Sequence, residues 1–163
     1  MTRRTVPGAL LALSLLLPLS ACGDDDPAAS SGSSEISTDL GTAPKVPASD
    51  GKVPTELVID DVVVGDGEEA VGGSTVEVKY VGAFYETGKE FDSSWSRGED
   101  ETLPVQLGSG MVIDGFDQGI TGMKEGGRRS VTIPSELGYG PQGQGPIPGD
   151  ATLVFVIDLV DVS

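Results

Sequence analysis

Residues 107–134 read LGSGMVIDGFDQGITGMKEGGRRSVTIP, and this stretch holds the helical pattern that decides the fold class of the 163-residue chain. Its large apolar residues recur at i, i+3, i+7 and i+10 with polar residues on the other side, which is typical of a short amphipathic helix. The apolar positions are Ile113, Phe116, Ile120 and Met123. The pair Gly126 and Gly127 predicts the end of this helix.

Before and after the helix, apolar residues alternate with polar ones, as expected of half-buried β-strands. The alternating runs are residues 57–64, 76–80, 105–107, 131–133 and 153–159. Glycine-rich turns separate these runs. One helix covering one antiparallel sheet is an α+β arrangement, and residues 54–163 are enough to enclose a single core. We therefore expect residues 54–163 to form one α+β domain.

The composition excludes several kinds of chemistry. The chain has no histidine and one cysteine, so a Ser-His-Asp triad, a Cys-His pair and a His/Cys zinc site are all excluded. Its formal net charge is −16, whereas nucleic-acid binding needs clustered Lys and Arg. We therefore expect no metal, no cofactor and no nucleic-acid partner.

The N-terminal residues have the layout of an export signal. Arg3 and Arg4 precede an apolar run that is too short to span a bilayer comfortably. The run ends in Leu-Ser-Ala-Cys at positions 19–22, which resembles the bacterial lipobox, in which the cysteine is lipidated and becomes the new N-terminus. We interpret residues 1–21 as a lipoprotein signal peptide and Cys22 as the lipid attachment site. The expected location is the bacterial cell membrane, facing outside the cytoplasm.

The segment after the cysteine is compositionally distinct. Residues 23–52 are rich in Ser, Ala, Pro, Gly and Asp, contain few large apolar residues and show no periodicity. Such a segment buries too little apolar surface to offset the entropy of ordering it. The sequence therefore predicts that residues 22–53 are a lipidated cysteine followed by a disordered linker.

Two further patterns lack the context that their chemistry requires. Residues 138–143 match GxGxxG as a string, but Pro141 prevents a helix from starting where a pyrophosphate would bind. Asp114 and Asp117 lie opposite the apolar stripe of the helix, so we expect them to face water rather than act as paired catalytic carboxylates. Neither nucleotide binding nor glycoside hydrolysis is predicted.

Several ordered blocks of this sequence resemble a known family. They include VKYVG at 78–82, GKEFDSSWSRG at 88–98, the stretch 107–134 quoted above, LGYG at 137–140 and IPGDATLVFVIDLVDV at 147–162. From about residue 57 to 162 the chain resembles FKBP-type peptidyl-prolyl cis-trans isomerases, the macrolide-binding immunophilins. The resemblance implies a twisted antiparallel sheet, a half-barrel, wrapped around one short helix, in agreement with the α+β pattern.

The resemblance also implies a set of site residues. Position by position, the family's catalytic pocket corresponds to Tyr80, Phe91, Asp92, Val112, Ile113, Phe116, Tyr139 and Phe155, with Leu103 and Ile147 as further substrate-binding residues. Phe116 stands where the family usually has tryptophan, and Leu103 where it often has phenylalanine. The loop 140–149 is one residue shorter than in well-known members and carries Gln144 where they often have histidine. These departures affect the expected affinity and sequence preference more than the expected activity.

Asp92 is the one carboxylate in this apolar set. A carboxylate is costly to bury without a partner, and Tyr80 is the expected one.

The implied reaction needs none of the excluded chemistry. Rotation about an X-Pro bond has a barrier of about 18–20 kcal/mol but makes no new covalent bond. The expected function is a peptidyl-prolyl isomerase that assists the folding of exported proteins at the outer face of the membrane. Expected partners are proline-containing exported or unfolded polypeptides, and the resemblance implies macrolides such as tacrolimus or rapamycin. We expect a monomer, because no heptad or dimer-forming stripe is present.

Two other classes of function compete with the isomerase. A non-catalytic binding module or chaperone would use the same pocket without useful turnover. A solute-binding lipoprotein would fit the leader, but its two large lobes need a longer chain.

Overall fold

The computed structural model describes residues 35–163. The predicted signal peptide and Cys22 lie outside the described residues, so their expected roles stay predictions. Within residues 35–163, no helix is long and apolar enough to cross a membrane. The strands and the helix are β1 (Val58–Val63), β2 (Thr75–Phe84), β3 (Glu90–Ser93), β4 (Leu103–Gln106), α1 (Asp114–Ile120), β5 (Arg128–Ile133) and β6 (Leu153–Val162). Two single-turn 3₁₀ helices, Ser135–Leu137 and Gly140–Gln142, occupy the loop between β5 and β6.

The six strands form one antiparallel sheet in the order β1-β5-β6-β2-β3, and β4 also pairs with β2. The two long strands β2 and β6 are paired in the middle of the sheet, from Val76 opposite Val162 to Phe84 opposite Leu153. This arrangement of one antiparallel sheet and one α-helix confirms the α+β prediction. Strand β3 was not among the predicted strands, because it spans four residues and its pairing with β2 is interrupted by a register shift.

Helix α1 packs closely on the sheet because glycines face β5. A Cβ atom added to Gly115 would lie 2.4 Å from Ile133, and one added to Gly119 would lie 2.8 Å from Val131. These two glycines are four residues apart and thus lie on the same side of the helix. Their missing side chains allow the helix axis to approach the sheet.

The helix is shorter than the sequence predicts. It ends at Ile120 rather than at the Gly126–Gly127 pair. Thr121 has a ψ of 128°, which is not helical, and Gly122 has a φ of +82°, and the Gly122 amide donates to the carbonyl of Ala70. Met123 is buried all the same, which explains why it fits the apolar stripe without being helical.

The sheet is buried on both faces along its central strands. The helix side holds the main core, which includes Val78, Val131 and Ile157. On the opposite face a second set of apolar side chains is also buried, with exposed fractions of 0–7%, although these residues lie outside the main core cluster. This second set is Val81, Ala83, Val154 and Val156.

Residues 35–52, here called the N-terminal arm, are ordered against the sheet at two ends. Arg128 is fully buried and donates to the carbonyls of Ser37, Asp39 and Thr42 at 2.7–3.0 Å. Further along the arm, the Ser49 amide donates to the Tyr85 carbonyl at 3.0 Å, and the Tyr85 hydroxyl donates to the carbonyl of Lys52.

The position of these contacts shows the course of the arm. Arg128 pairs with Asp158 across the sheet, and the Tyr85 amide donates to the carbonyl of Thr152. The arm therefore runs along β6 on the sheet face opposite the helix, from near Asp158 to near Thr152. An extended chain rises about 3.3 Å per residue, so the seven steps from Thr42 to Ser49 are enough to cover this length.

The arm corrects part of the linker prediction. Residues 35–52 are held against the domain and belong to the same compact unit as residues 54–163, not to a disordered spacer. The physical reason is non-local. The arm has few large apolar residues of its own, but Arg128, which is distant in the chain, supplies donors for its carbonyls.

Candidate active site

A pocket of about 320 Å³ opens between the helix side of the sheet and the loops that flank α1. Nine of the ten predicted pocket residues line it: Tyr80, Phe91, Asp92, Leu103, Val112, Ile113, Phe116, Tyr139 and Phe155. The tenth, Ile147, is buried in the main core and does not line the pocket. It exchanges two backbone hydrogen bonds of 2.9 Å with Gln144, so it anchors the loop instead.

Aromatic rings form the apolar base of the pocket. Phe155 lies edge-on to Phe116 at 5.1 Å between ring centroids and to Phe91 at 5.6 Å, and Tyr80 lies edge-on to Phe116 at 5.8 Å. Such edge-to-face packing is the favoured geometry for aromatic pairs. Phe116 is 4% exposed, so phenylalanine maintains a closed aromatic floor at the position where tryptophan is usual.

Strand β2 makes room for these rings through Gly82. A Cβ atom at this position would lie 2.8 Å from both Phe155 and Phe91. Gly82 pairs with Phe155 on one side and with Asp92 on the other. Because Gly82 has no side chain, the rings of Phe155 on β6 and Phe91 on β3, which lie on either side of β2, can meet above it.

The polar wall of the pocket is a hydrogen-bonded group of three side chains. The Tyr80 hydroxyl donates to Asp92 Oδ2 at 2.5 Å, as the sequence predicts. Arg97 donates to Asp92 Oδ1 at 2.9 Å and to the Tyr80 hydroxyl at 3.0 Å, and the Ser93 amide donates to Asp92 Oδ1. Asp92 is less buried than expected, since its side chain is 47% exposed.

These contacts determine the protonation states. Partial burial alone would raise the pKa of Asp92, but the bonds from Tyr80 and Arg97 outweigh it, so the pKa lies below its ordinary value. Burial and the nearby Asp92 raise the pKa of Tyr80, and the same two causes raise the pKa of Tyr139. At neutral pH the pocket therefore holds one carboxylate and two protonated phenol groups.

Three further residues belong to the site and were not among the predicted ones. Arg97 binds Asp92 and Tyr80, while Met111 and Gln144 line the pocket mouth. Arg97 lies within the block GKEFDSSWSRG, five residues after Asp92, and this proximity was an available signal. Met111 is 69% exposed and has no periodic pattern, so only the structure identifies it.

The fold and the pocket together define a class of protein. It is a small antiparallel-sheet protein with one helix, whose site is an apolar aromatic cavity with a single paired carboxylate. Residues 66–160 match the sequence family described as FKBP-type peptidyl-prolyl cis-trans isomerase.

Named relatives and solved structures agree with this match. A probable FK506-binding protein of Corynebacterium glutamicum is 50% identical over 117 residues, which cover 72% of this chain and 96% of the relative. An FK506-binding protein of Streptomyces anulatus is 51% identical over 122 residues, covering 73% and 96%. The crystal structure of AtFKBP13 has a TM-score of 0.61 and 40% identity, over 68% of this chain and 96% of that one. FkpA from Escherichia coli has a TM-score of 0.60 and 41% identity, over 67% of this chain and 49% of that one.

The chain therefore belongs to the FKBP-type peptidyl-prolyl cis-trans isomerase family. It is a peptidyl-prolyl isomerase, and the family supports a role in protein folding, with proline-containing peptides as substrates.

Proposed function

We propose that this isomerase is an exported, lipid-anchored enzyme that assists the folding of proline-containing proteins at the outer face of the membrane. The observation that carries the proposal is the combination of an intact isomerase pocket with the leader and the lipobox-like positions 19–22. The leader supports export, and Cys22 supports anchoring, since acyl chains contribute about 0.8 kcal/mol per buried methylene.

The pocket catalyses by its environment rather than by covalent chemistry. In the twisted transition state the amide loses its dipolar resonance form, so a dry and weakly polar cavity favours that state over the planar amide. Every 1.36 kcal/mol of this preference accelerates rotation about tenfold. The closed aromatic floor of Phe116, Phe155 and Phe91 supplies the apolar environment.

The polar groups of the pocket orient the substrate. In the proposed complex the proline ring lies over Phe116, and the Tyr139 hydroxyl and the Ile113 amide donate to flanking carbonyls. Both donors are available for this role, because neither has a hydrogen-bond partner among residues 35–163. Asp92 is held by Tyr80 and Arg97, so it provides a fixed field near the rotating bond.

Exchange NMR on an X-Pro peptide tests the catalytic part. We expect the purified protein to accelerate cis/trans exchange and a macrolide to suppress this acceleration by competing for the pocket. Unchanged exchange rates with wild-type protein would refute it.

Fractionation tests the location. In a bacterial host, the wild-type chain should be recovered with membranes and labelled by a fatty-acid probe, whereas Cys22→Ser should lose the label and leave the membrane fraction. Equal fractionation of the two forms would refute the lipid anchor.

A binding module or chaperone remains the second candidate, and the departures at Phe116 and Leu103 favour it. Both residues line the pocket, so they alter its shape rather than remove it. Asp92→Val and Phe155→Tyr separate the two functions. If wild type and both variants bind an unfolded chain equally while exchange stays negligible in all three, the pocket binds without catalysing.

A further inference from the structure

A second cleft lies beside the isomerase pocket. Its volume is about 520 Å³, against about 320 Å³ for the pocket, and both values lie in the range of about 300–1,000 Å³ typical of ligand sites. The cleft is bordered by the β2–β3 turn, by residues 146–152 and by Val53, which directly follows the N-terminal arm. The bonds between Tyr85 and the arm position Val53 at this edge.

The cleft and the pocket are separated by two shared walls. The first is a pair of aromatic rings, Phe84 in the cleft and Phe91 in the pocket, with centroids 5.2 Å apart. The second is the loop 144–149, in which Gln144 lines the pocket while Pro146 and Pro148 line the cleft. Reciprocal backbone bonds between Gln144 and Ile147 keep this loop in shape.

The short separation determines what can occupy both cavities at once. An extended polypeptide advances about 3.3 Å per residue, so a residue about two to four positions from a bound proline reaches across either wall. The cleft is thus within reach of a polypeptide whose proline is bound in the pocket.

The chemistry of the cleft suits an apolar side chain. Phe84 and Ala151 are partly buried apolar residues of the lining, and Val53, Pro146 and Pro148 are exposed apolar ones. Charges are present as well, but they are mixed, since Lys89 lines the cleft together with Glu86 and Asp150. The valine is 40% exposed, so this apolar surface has no cover within residues 35–163.

We infer that this cleft is a second binding site for the client polypeptide, which takes a bulky apolar residue close to the proline held in the pocket. The inference rests on the proposed folding function and adds a preference for long chains over short peptides. A second copy of this chain is a poor occupant, because a net charge of −16 opposes self-association.

Two matched valine variants test the second site. Val53→Asp places a charge in the cleft, and Val71→Asp makes the same change at another valine, 52% exposed, that does not line it. Each variant is assayed with a three-residue peptide that has proline in the middle, so that no residue lies two positions from it, and with an unfolded protein whose refolding is limited by proline isomerisation. The melting temperature of each variant is measured alongside.

We expect Val53→Asp to lower kcat/KM for the refolding chain about fivefold, through a higher KM, because one apolar contact is lost. The kcat/KM for the short peptide should change by less than about twofold. Val71→Asp should change neither. If Val53→Asp lowers the melting temperature, Thr87→Arg obstructs the same cleft from the β2–β3 turn and carries the same expectation.

The outcomes separate the two proposals. If wild type catalyses refolding and Val53→Asp and Thr87→Arg catalyse it equally well, the second site is refuted and the folding function stands. If wild type acts on the short peptide but not on the refolding chain, both are refuted. Equal losses in Val53→Asp and Val71→Asp would show a general charge effect and would also refute the site.

Discussion

Two Arg–Asp pairs in this molecule have the same chemical groups and opposite surroundings. Arg97 and Asp92 lie at the pocket, with side chains 48% and 47% exposed. Arg128 and Asp158 lie across β5 and β6, with side chains 0% and 7% exposed. The first pair contacts Tyr80, and the second contacts the N-terminal arm.

The difference shows how burial changes what an ion pair does. An exposed pair contributes little stability, typically about 0–1 kcal/mol, but it can fix the position of a charge in a binding site. A buried pair with every donor satisfied contributes little net stability either, yet removing one partner leaves an uncompensated charge. All the donors of Arg128 are used, two on Asp158 and the rest on three arm carbonyls. Its loss therefore affects the arm and the sheet together.

The largest expected effect follows from breaking the buried pair. Arg128→Met should lower the free energy of unfolding by about 3–5 kcal/mol, because Asp158 would remain buried and unpaired. Urea denaturation measures the loss in unfolding free energy. Hydrogen exchange should show that the backbone amide of Ser49, in the arm, exchanges faster than in the wild type. Arg97→Met is the matched control and should cost less than about 1 kcal/mol. Equal losses in the two variants would contradict the comparison.

Breaking the exposed pair should lower catalytic activity rather than stability. Asp92→Asn keeps the shape of the side chain but removes its charge, so we expect kcat/KM to fall about tenfold, equivalent to about 1.4 kcal/mol. The free energy of unfolding should change by less than about 1 kcal/mol. Peptide exchange kinetics and urea denaturation on the same samples separate the two effects. A stability loss larger than the activity loss would contradict this assignment.

The pH dependence gives a smaller effect of known sign. Because the folded pKa of Asp92 lies below its ordinary value, its ionised form contributes stability above the ordinary pKa. That contribution is lost as pH falls through the lowered folded value. The difference in unfolding free energy between wild type and Asp92→Asn should therefore persist at neutral pH and shrink below about pH 4. A difference that grows on acidification would contradict the depressed pKa.

The smallest expected effect concerns the far end of the arm. Tyr85→Phe removes the bond from the Tyr85 hydroxyl to the Lys52 carbonyl, which is 3.3 Å long and exposed. We expect a loss of about 0.5 kcal/mol, at the lower end for a single hydrogen bond. Comparing the loss of stability on thermal unfolding between Tyr85→Phe and Arg128→Met tests whether the arm is held mainly at the Arg128 end. A larger loss in Tyr85→Phe than in Arg128→Met would reverse that order.

Much of the site could be predicted from sequence because its residues lie in ordered blocks that resemble the family's, so the pocket positions could be carried over one by one. Phe91 and Asp92 are adjacent, and Val112 and Ile113 directly precede the helix that carries Phe116. Ile147 was wrongly placed on the pocket wall, because its side chain turns into the core while Gln144 lines the cavity. A loop of alternating Gly and Pro has no periodicity from which a side chain's direction can be inferred.

The sequence by itself determined the α+β class, since strand alternation and the helical stripe are local patterns set by backbone geometry. Its ordered blocks also determined the family, and the resemblance to that family gave most of the pocket residues. Only the tertiary structure decided that the arm is ordered and that Arg97 joins Asp92 and Tyr80. It also decided that a second cleft adjoins the pocket. These features depend on groups far apart in the chain, such as Ser37 and Arg128, whose contact bridges 91 positions. A polar segment that cannot order itself becomes ordered when a distant, buried cation needs its carbonyls.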